Sequence, residues 1–177
     1  MAKGAACAVC EKAPISGEGE AEGPYILVEN VKKAMQDIAA FYRGGLSIPI
    51  VGITGSVGKT STKEFIAAVL EEKYRVLKTD GNYNNEIGVP LTLFRIREEH
   101  EAAVIEMGIN HFGEMHRLSR MAAPDIVVMT NIGDCHLEAL GSREGVLKAK
   151  SEIFDFMSED GTVIVNGDDE LLAGIRK

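Results

Sequence analysis

Residues 48–61, IPIVGITGSVGKTS, run an apolar strand straight into a glycine-spaced turn and then into a helix that begins at Lys59. Strand, loop and helix in that order restrict the chain to the α/β class. The loop itself, TGSVGKTS at 54–61, carries chemistry. Gly55 and Gly58 let backbone N–H groups turn inward on a phosphate chain, and the helix start adds the positive end of its dipole. Lys59 can then reach terminal phosphates, and Thr60 can ligate magnesium. One departure stands out: the general pattern G-x-x-x-x-G-K-[ST] wants glycine at position 53, where this chain has Ile53, with Gly52 one place early. A glycine-rich turn with a surface lysine is the plainer alternative, but it leaves the order of elements unexplained. Binding of a nucleoside triphosphate is therefore the strongest single expectation.

The same alternation continues along the chain. Apolar strands are expected at 75–79, 102–107, 125–130 and 162–166, and helices at 59–72, 89–94, 114–121 and 142–157. On the helix at 59–72, Phe65, Ile66, Val69 and Leu70 mark one apolar face. Short apolar strands alternating with amphipathic helices imply a mostly parallel sheet covered on both faces, with ligands at the carboxyl ends of its strands. Ahead of this unit, Asn30 caps a helix whose expected apolar face is Val31, Ala34, Met35, Ile38, Phe41 and Tyr42, and Gly44 and Gly45 stop it. Residues 25–28 read as a strand. Residues 11–24 read as a loop, and before them the short apolar stretch 5–9 is a stray tail or the end of a larger unit.

Composition limits the partners. Nineteen Lys and Arg against 27 Asp and Glu leave a net charge of −8 in 177 residues, which argues against a nucleic-acid binder driven by bulk positive charge. Any anion must be held locally. No apolar run approaches the roughly 20 residues that span a bilayer, so no membrane insertion and a cytoplasmic address are expected. Cys7, Cys10 and Cys135 are too few for a disulfide framework. The Cys7-x-x-Cys10 pair lacks the second half of a metal shell and reads as ordinary strand sequence.

Beside the loop, a second acid is needed to hold magnesium. Glu106 arrives at the carboxyl end of an apolar strand, where a carboxylate can face bound phosphates; the alternative is a solvated strand-end residue. The next strand ends in TNIGDCHLE, which brings Asn131, Asp134, His136 and Glu138 to the same rim. His136 is there either a ligand or a structural residue. On the following helix the apolar stripe Val146, Leu147, Ile153, Phe154, Met157 includes Lys150, while Lys148 and Glu152 face away. Burial would lower the lysine's pKa and expose a neutral amine able to take up carbon dioxide as a carbamate; snorkelling to water is the alternative.

Five segments together, TGSVGKTS (54–61), NYNNEIGVPLTL (82–93), EMGINHFGEM (106–115), TNIGDCHLEALGSREGVLKAKSEIF (130–154) and VNGDD (165–169), resemble the ATP-binding central domain of the Mur ligase family. The TGxxGKT[ST] form of the loop in that family accommodates Ile53. Within the family, the NNEIG and GSxxGVxxAKxEIF runs are most similar to the ligase that adds D-Ala-D-Ala to UDP-MurNAc-tripeptide, rather than to its sister ligases or folylpolyglutamate synthase. The resemblance implies ATP and Mg2+ as cofactors, with Lys59, His136 and Lys150 catalytic. Thr54, Gly55, Ser56, Gly58, Lys59, Thr60, Ser61, Asn84, Asn85 and Asn131 would bind the nucleotide and line the cleft. Thr60 and Glu106 would hold one magnesium ion, and His136 with a carbamylated Lys150 a second. Asp134 and Cys135 depart from the small residues expected before the histidine, a change expected to face solvent.

The resemblance also implies three domains. Residues 1–29 would be the tail of a uridine-nucleotide-binding domain, 30–47 a linker helix and 48–177 part of the central domain, with the C-terminal domain not represented. A monomer is expected. Two other readings stay open: a small kinase that phosphorylates its acceptor without needing an amine, and a module that binds nucleotide without turnover. On this reading the isolated chain binds ATP weakly and does not ligate.

Overall fold

A strand buried on both faces is apolar along most of its length, and two strands of this chain, IVGIT and AAVIE, are buried at all five of their positions. In the computed structural model, which describes residues 4–14 and 23–175, the strands in chain order are β1 (Ala8–Cys10), β2 (Tyr25–Leu27), β3 (Ile50–Thr54), β4 (Val76–Lys78), β5 (Ala102–Glu106), β6 (Ile126–Met129) and β7 (Thr162–Val165). The fully buried pair, β3 and β5, occupies the middle of a five-stranded sheet of order β4-β5-β3-β6-β7. All its pairings are parallel. Ile53 lies opposite Glu106, and Thr54 opposite Met129, so three strand ends meet at one carboxyl edge.

Alternation along the strands sorts the core into two layers. Ile50, Ala103, Ile105, Val127 and Met129 belong to the larger cluster, while Val51, Ile53, Val104 and Val128 belong to the smaller one on the opposite face. The smaller layer is closed by α2 (Lys59–Glu71), through Ala67, Ile66 and Leu70. The larger is closed by α1 (Val31–Gly44), α3 (Gly88–Leu93), α4 (Glu114–Ala122) and α6 (Arg143–Ser151), with a single turn, α5 (Leu137–Leu140), leading into α6. Helices on both faces agree with the sequence expectation. Gly52 takes part in this packing: a Cβ there would come within 2.6 Å of Met107 Cε and 3.1 Å of Pro124 Cβ.

Three helix expectations need correction. The buried residues of α1 are Gln36, Ala39 and Arg43, whereas Ile38 and Phe41 face outward and Phe41 is 87% exposed. Arg43 wins the inner position because its fork satisfies carbonyls that would otherwise lack partners. It donates to Ala122 O (2.9 Å), Leu46 O (2.9 Å), Ala123 O (3.0 Å) and the Asp125 carboxylate (3.0 Å). On α2 the inner face is Lys63 and Ala67 with Ile66 and Leu70 half-buried, while Phe65 and Val69 are exposed. Lys63 is held there by donating to Thr79 O at 2.7 Å. The third helix, α6, begins close to the expected residue 142, with Ser142 as its cap, but ends at Ser151, passing into a 3-10 turn at Glu152–Phe154. Glu152 does not face away; its carboxylate accepts from Gly113 N and His116 N and caps the start of α4.

The N-terminal apolar stretch pairs in parallel with the strand at 25–27, Ala8 opposite Tyr25 and Cys10 opposite Leu27, as a separate two-stranded sheet. Of the loop expected at 11–24, residues 15–22 lie outside the described residues. No helix among the described residues is long and apolar enough to cross a membrane. Arg43→Met is expected to lower unfolding stability by about 2–4 kcal/mol, because four acceptors lose one donor group together. Urea denaturation checks this, with a fall in midpoint at unchanged m-value.

Candidate active site

The turn between β3 and α2 requires glycine at two places. Gly55 has φ +146° and Gly58 φ +84°, and a Cβ on Gly55 would lie 2.0 Å from Thr130 Oγ1. The turn is tied to the end of β6. Ser56 N donates to Asn131 O (3.0 Å), Val57 N to Asn131 Oδ1 (2.9 Å), and Thr130 Oγ1 and Asn131 Nδ2 both donate to Val57 O. Asn131 thus has both ends of its amide on Val57 and holds the loop in shape. Gly133 N donates to Ser56 Oγ (2.8 Å), and Cys135 Sγ lies 3.0 Å from the same hydroxyl. Cys135 is half-buried against the loop, so the expected solvent-facing position holds only for Asp134. Asp169, within VNGDD, steadies this segment from β7 by accepting from Ile132 N at 2.7 Å.

Two lysines converge on one backbone oxygen. Lys59 Nζ donates to Gly55 O at 3.0 Å and to Ser56 O at 3.4 Å, and Lys150 Nζ, from 95 residues further on, donates to the same Gly55 O at 3.0 Å. Lys150 is 1% exposed, which excludes snorkelling. Its burial, opposed by Cys135 and reinforced by the charge of Lys59, pulls its pKa down to about 8. Desolvation, followed by the charges of Lys150 and Lys59, also holds the His136 imidazole below its ordinary value. His136 itself sits at φ +56°, and its carbonyl accepts the first backbone bonds of α5.

Glu106 is fully engaged rather than solvated. Thr60 Oγ1 donates to Glu106 Oε2 at 2.9 Å and Asn84 Nδ2 to Oε1 at 2.8 Å, while Glu106 N donates to Thr79 Oγ1. Asn85 turns its side chain to Ile87 N and Gly88 N and starts α3. A cavity of about 190 Å3 gathers Gly55, Ser56, Lys59, Asn84, Asn85, His136 and Lys150. Its wall also includes Gly108, Ile109 and Asn110, which pattern reading missed; their position directly after Glu106 in the quoted EMGINHFGEM segment was the available signal. Thr60 and Glu106 stand beside this cavity, whereas Thr54 is fully buried and its hydroxyl has no partner. Ser61 is exposed on α2. Asp134 and Glu138 are exposed and outside the cavity wall.

Residues 53–177 match the family described as the Mur ligase middle domain. The chain belongs to the Mur ligase family. Among Mur ligases it is 50% identical over 147 residues to the UDP-N-acetylmuramoyl-tripeptide--D-alanyl-D-alanine ligase of Bacillus subtilis, covering 83% of this chain and 32% of that protein. The ligase of the same name from Synechocystis is 44% identical over 167 residues, covering 94% of this chain and 37% of that one. Among solved structures, MurF from Acinetobacter baumannii superposes with a TM-score of 0.86 at 36% identity, over 94% of this chain and 36% of that one. MurF from Thermotoga maritima in complex with ADP gives 0.83 at 34% identity, over 94% of this chain and 38% of that one. The chain thus spans about a third of the length of the curated relatives it matches.

The buried lysine has a measurable signature. Lys150 has a lower pKa folded than unfolded, so the unfolded chain binds more protons between pH 8 and 10.5 and stability rises with pH across that window. Urea midpoints of the wild type are expected to climb from pH 8 to 10.5 relative to those of Lys150→Met; parallel curves would contradict the assignment.

Proposed function

We propose that this chain carries the ATP-binding part of a ligase that joins D-Ala-D-Ala to UDP-MurNAc-tripeptide through an acyl phosphate. The observation that carries the reading is the meeting of Lys59 and Lys150 at Gly55 O, with the Thr60–Glu106 pair alongside. Two ammonium groups on one neutral oxygen leave uncompensated positive charge, which a polyphosphate would neutralise. The names of the relatives supply the substrates, and the ADP complex of the Thermotoga protein supports nucleotide binding by this fold.

In this reading ATP draws Lys59 off the Gly55 and Ser56 carbonyls and onto its terminal phosphates, while the turn's N–H groups and the start of α2 cradle the rest of the chain. The residues present fit magnesium. Thr60 Oγ1 and Glu106 Oε2 stand 2.9 Å apart, and Asn84 fixes the second carboxylate oxygen. Among the described residues no three His, Cys, Asp or Glu cluster for a metal. Thr60 and Glu106 would hold the magnesium ion, and bound there it neutralises charge on the transferred phosphoryl group. His136 and Lys150 both line the cavity. A pKa near 8 leaves roughly a tenth of Lys150 as free amine at pH 7, available to become a carbamate and, with His136, a second cation site.

The chemistry then has two steps. A carboxylate of the tripeptide attacks the γ-phosphate in line and ADP leaves; the amine of D-Ala-D-Ala attacks the acyl carbon, an amide forms and phosphate leaves. Lys59 steadies charge in the first step, Asn131 holds the loop in shape, and the wall that includes Asn84 and Asn85 orients the acceptor. We read residues 1–29 as belonging to a uridine-nucleotide-binding unit, 30–47 as the connection and 48–177 as central domain, in a cytoplasmic, monomeric enzyme.

The test is nucleotide binding by the chain, followed by stoichiometry of turnover in a protein that contains these residues. Lys59→Ala is expected to weaken ATP binding by about 30-fold or more, roughly 2 kcal/mol, measured by calorimetry. Glu106→Gln is expected to abolish the magnesium dependence of that binding while leaving the fold intact. ADP release over many turnovers should require both the tripeptide nucleotide and D-Ala-D-Ala. Repeated turnover to a stable phosphorylated product without the amine would overturn the ligase reading in favour of a kinase, and ATP binding without any turnover in the longer protein would favour a non-catalytic module.

A further inference from the structure

Three cavities share walls. The one above the glycine turn meets a second, of about 220 Å3, through Asn85 and Asn110; the second meets a third, of about 420 Å3, through Lys32 and Glu86. End to end they form a trough that leads from Lys59, His136 and Lys150, past the start of α3, to the space between α1 and α4.

The far end of the trough is positive. Lys32, Lys33, Arg117 and Arg120 line it, with Glu86 as the one carboxylate in its wall. Glu86 is engaged by both Lys32 and Arg117, and by Gln36 Nε2 at 3.2 Å. Asp37, outside the wall, takes Lys33 Nζ and Arg120 through its two oxygens, each at 2.7 Å. Two carboxylates thus serve the four cations of the wall, and a third, Glu11, accepts from Val31 N (3.0 Å) at the start of α1, so this end keeps a small local excess of positive charge on a chain whose net charge is −8. His116 adds nothing to it, because its Nδ1 is turned to Asp155 Oδ2 at 2.6 Å.

Folding does not call for this arrangement. Lys32 and Lys33 occupy the first turn of α1, which contains no acidic residue, and cations at a helix N-terminus oppose the helix dipole. The pairs that Lys33 and Arg120 make with the partly exposed Asp37 return little stability in exchange. Local rules broken without a structural gain mark positions kept for binding.

We propose that this end of the trough binds an anionic group of the acid-bearing substrate, a peptide carboxylate or the diphosphate of its nucleotide, while the reacting carboxylate lies at the other end beside Lys59. The identity of that substrate rests on the ligase reading; the anion site rests on the trough. Arg120 and Lys33 are the readers with most freedom, since they share only the partly exposed Asp37. Bound at two points along one groove, the substrate would be oriented before phosphoryl transfer.

The experiment titrates the 15N-labelled chain, in separate arms, with UDP-MurNAc-tripeptide, with UDP-MurNAc lacking the peptide, and with the tripeptide lacking the nucleotide. ATP with magnesium serves as a control. The expected result is movement of the backbone amides of residues 31–37 and 116–121 with the complete substrate. The partial ligand that reproduces it identifies the group, the peptide arm pointing to a carboxylate and the nucleotide arm to the diphosphate. Lys33→Ala with Arg120→Ala should weaken substrate binding tenfold or more and change ATP binding less than twofold, whereas the charge-conserving pair Lys33→Arg with Arg120→Lys should stay within threefold of wild type. Undisturbed amides at millimolar substrate in every arm, or equal affinity in the alanine pair, overturns the proposal. Failure of ATP to move residues 55–60 is a separate result: it overturns the nucleotide-site reading, whatever happens between α1 and α4.

Discussion

Everything in the site depends on the carbonyl of Gly55. Lys59 reaches it from the helix that follows the turn and Lys150 from a helix near the other end of the chain, each at 3.0 Å. A neutral oxygen shared by two ammonium groups is a poor counter-charge, and one of those groups is almost wholly removed from water. The burial shows in the depressed pKa of Lys150. Gly55 is bound to its place by sterics as much as by hydrogen bonding, because any side chain there would strike Thr130. The turn is in effect moulded against the end of β6, with Asn131 and Thr130 fastening Val57 and Gly133 fastening Ser56.

The parallel sheet is what brings these pieces together. With β3 flanked by β5 and β6, the residues that follow each strand emerge side by side, and three separate stretches of sequence share one rim. Glu106 comes from one neighbour and the 130–136 segment from the other. The acidic chain therefore places its positive charge locally, at the lysine pair and again between α1 and α4. Carboxylates temper both places: Glu106 beside Thr60, and Glu86 and Asp37 among the cations of the trough. Charge this local acts over about a Debye length and survives an unfavourable net balance.

Much of this was legible without coordinates. Period and apolar runs found all five sheet strands, the Asn30 cap and the glycine turn, since each depends on residues close in sequence. The same reasoning misplaced the inner faces of α1 and α2. Hydrophobicity pointed to Phe41 and Phe65, yet Arg43 and Lys63 lie inside because their long stems pack and their charged ends meet carbonyls contributed by distant segments. A residue's partner 80 positions away leaves no trace in local pattern. Glu152 failed the same way: the N–H groups it caps belong to another helix.

By itself, then, the sequence determined the fold class, the chain's place among the Mur ligases and the glycine turn between strand and helix. These follow from strand and helix periods and from a motif whose parts are contiguous. Only the tertiary structure decided that Lys150 is buried on the turn rather than reaching water, that Glu106 is held by Thr60 and Asn84, and that Cys135 leans on Ser56. It alone decided that a positive trough opens between α1 and α4. Each of these is a relation between segments far apart in the chain, and such relations are set by how helices and strands pack across the sheet rather than by any order of neighbouring residues.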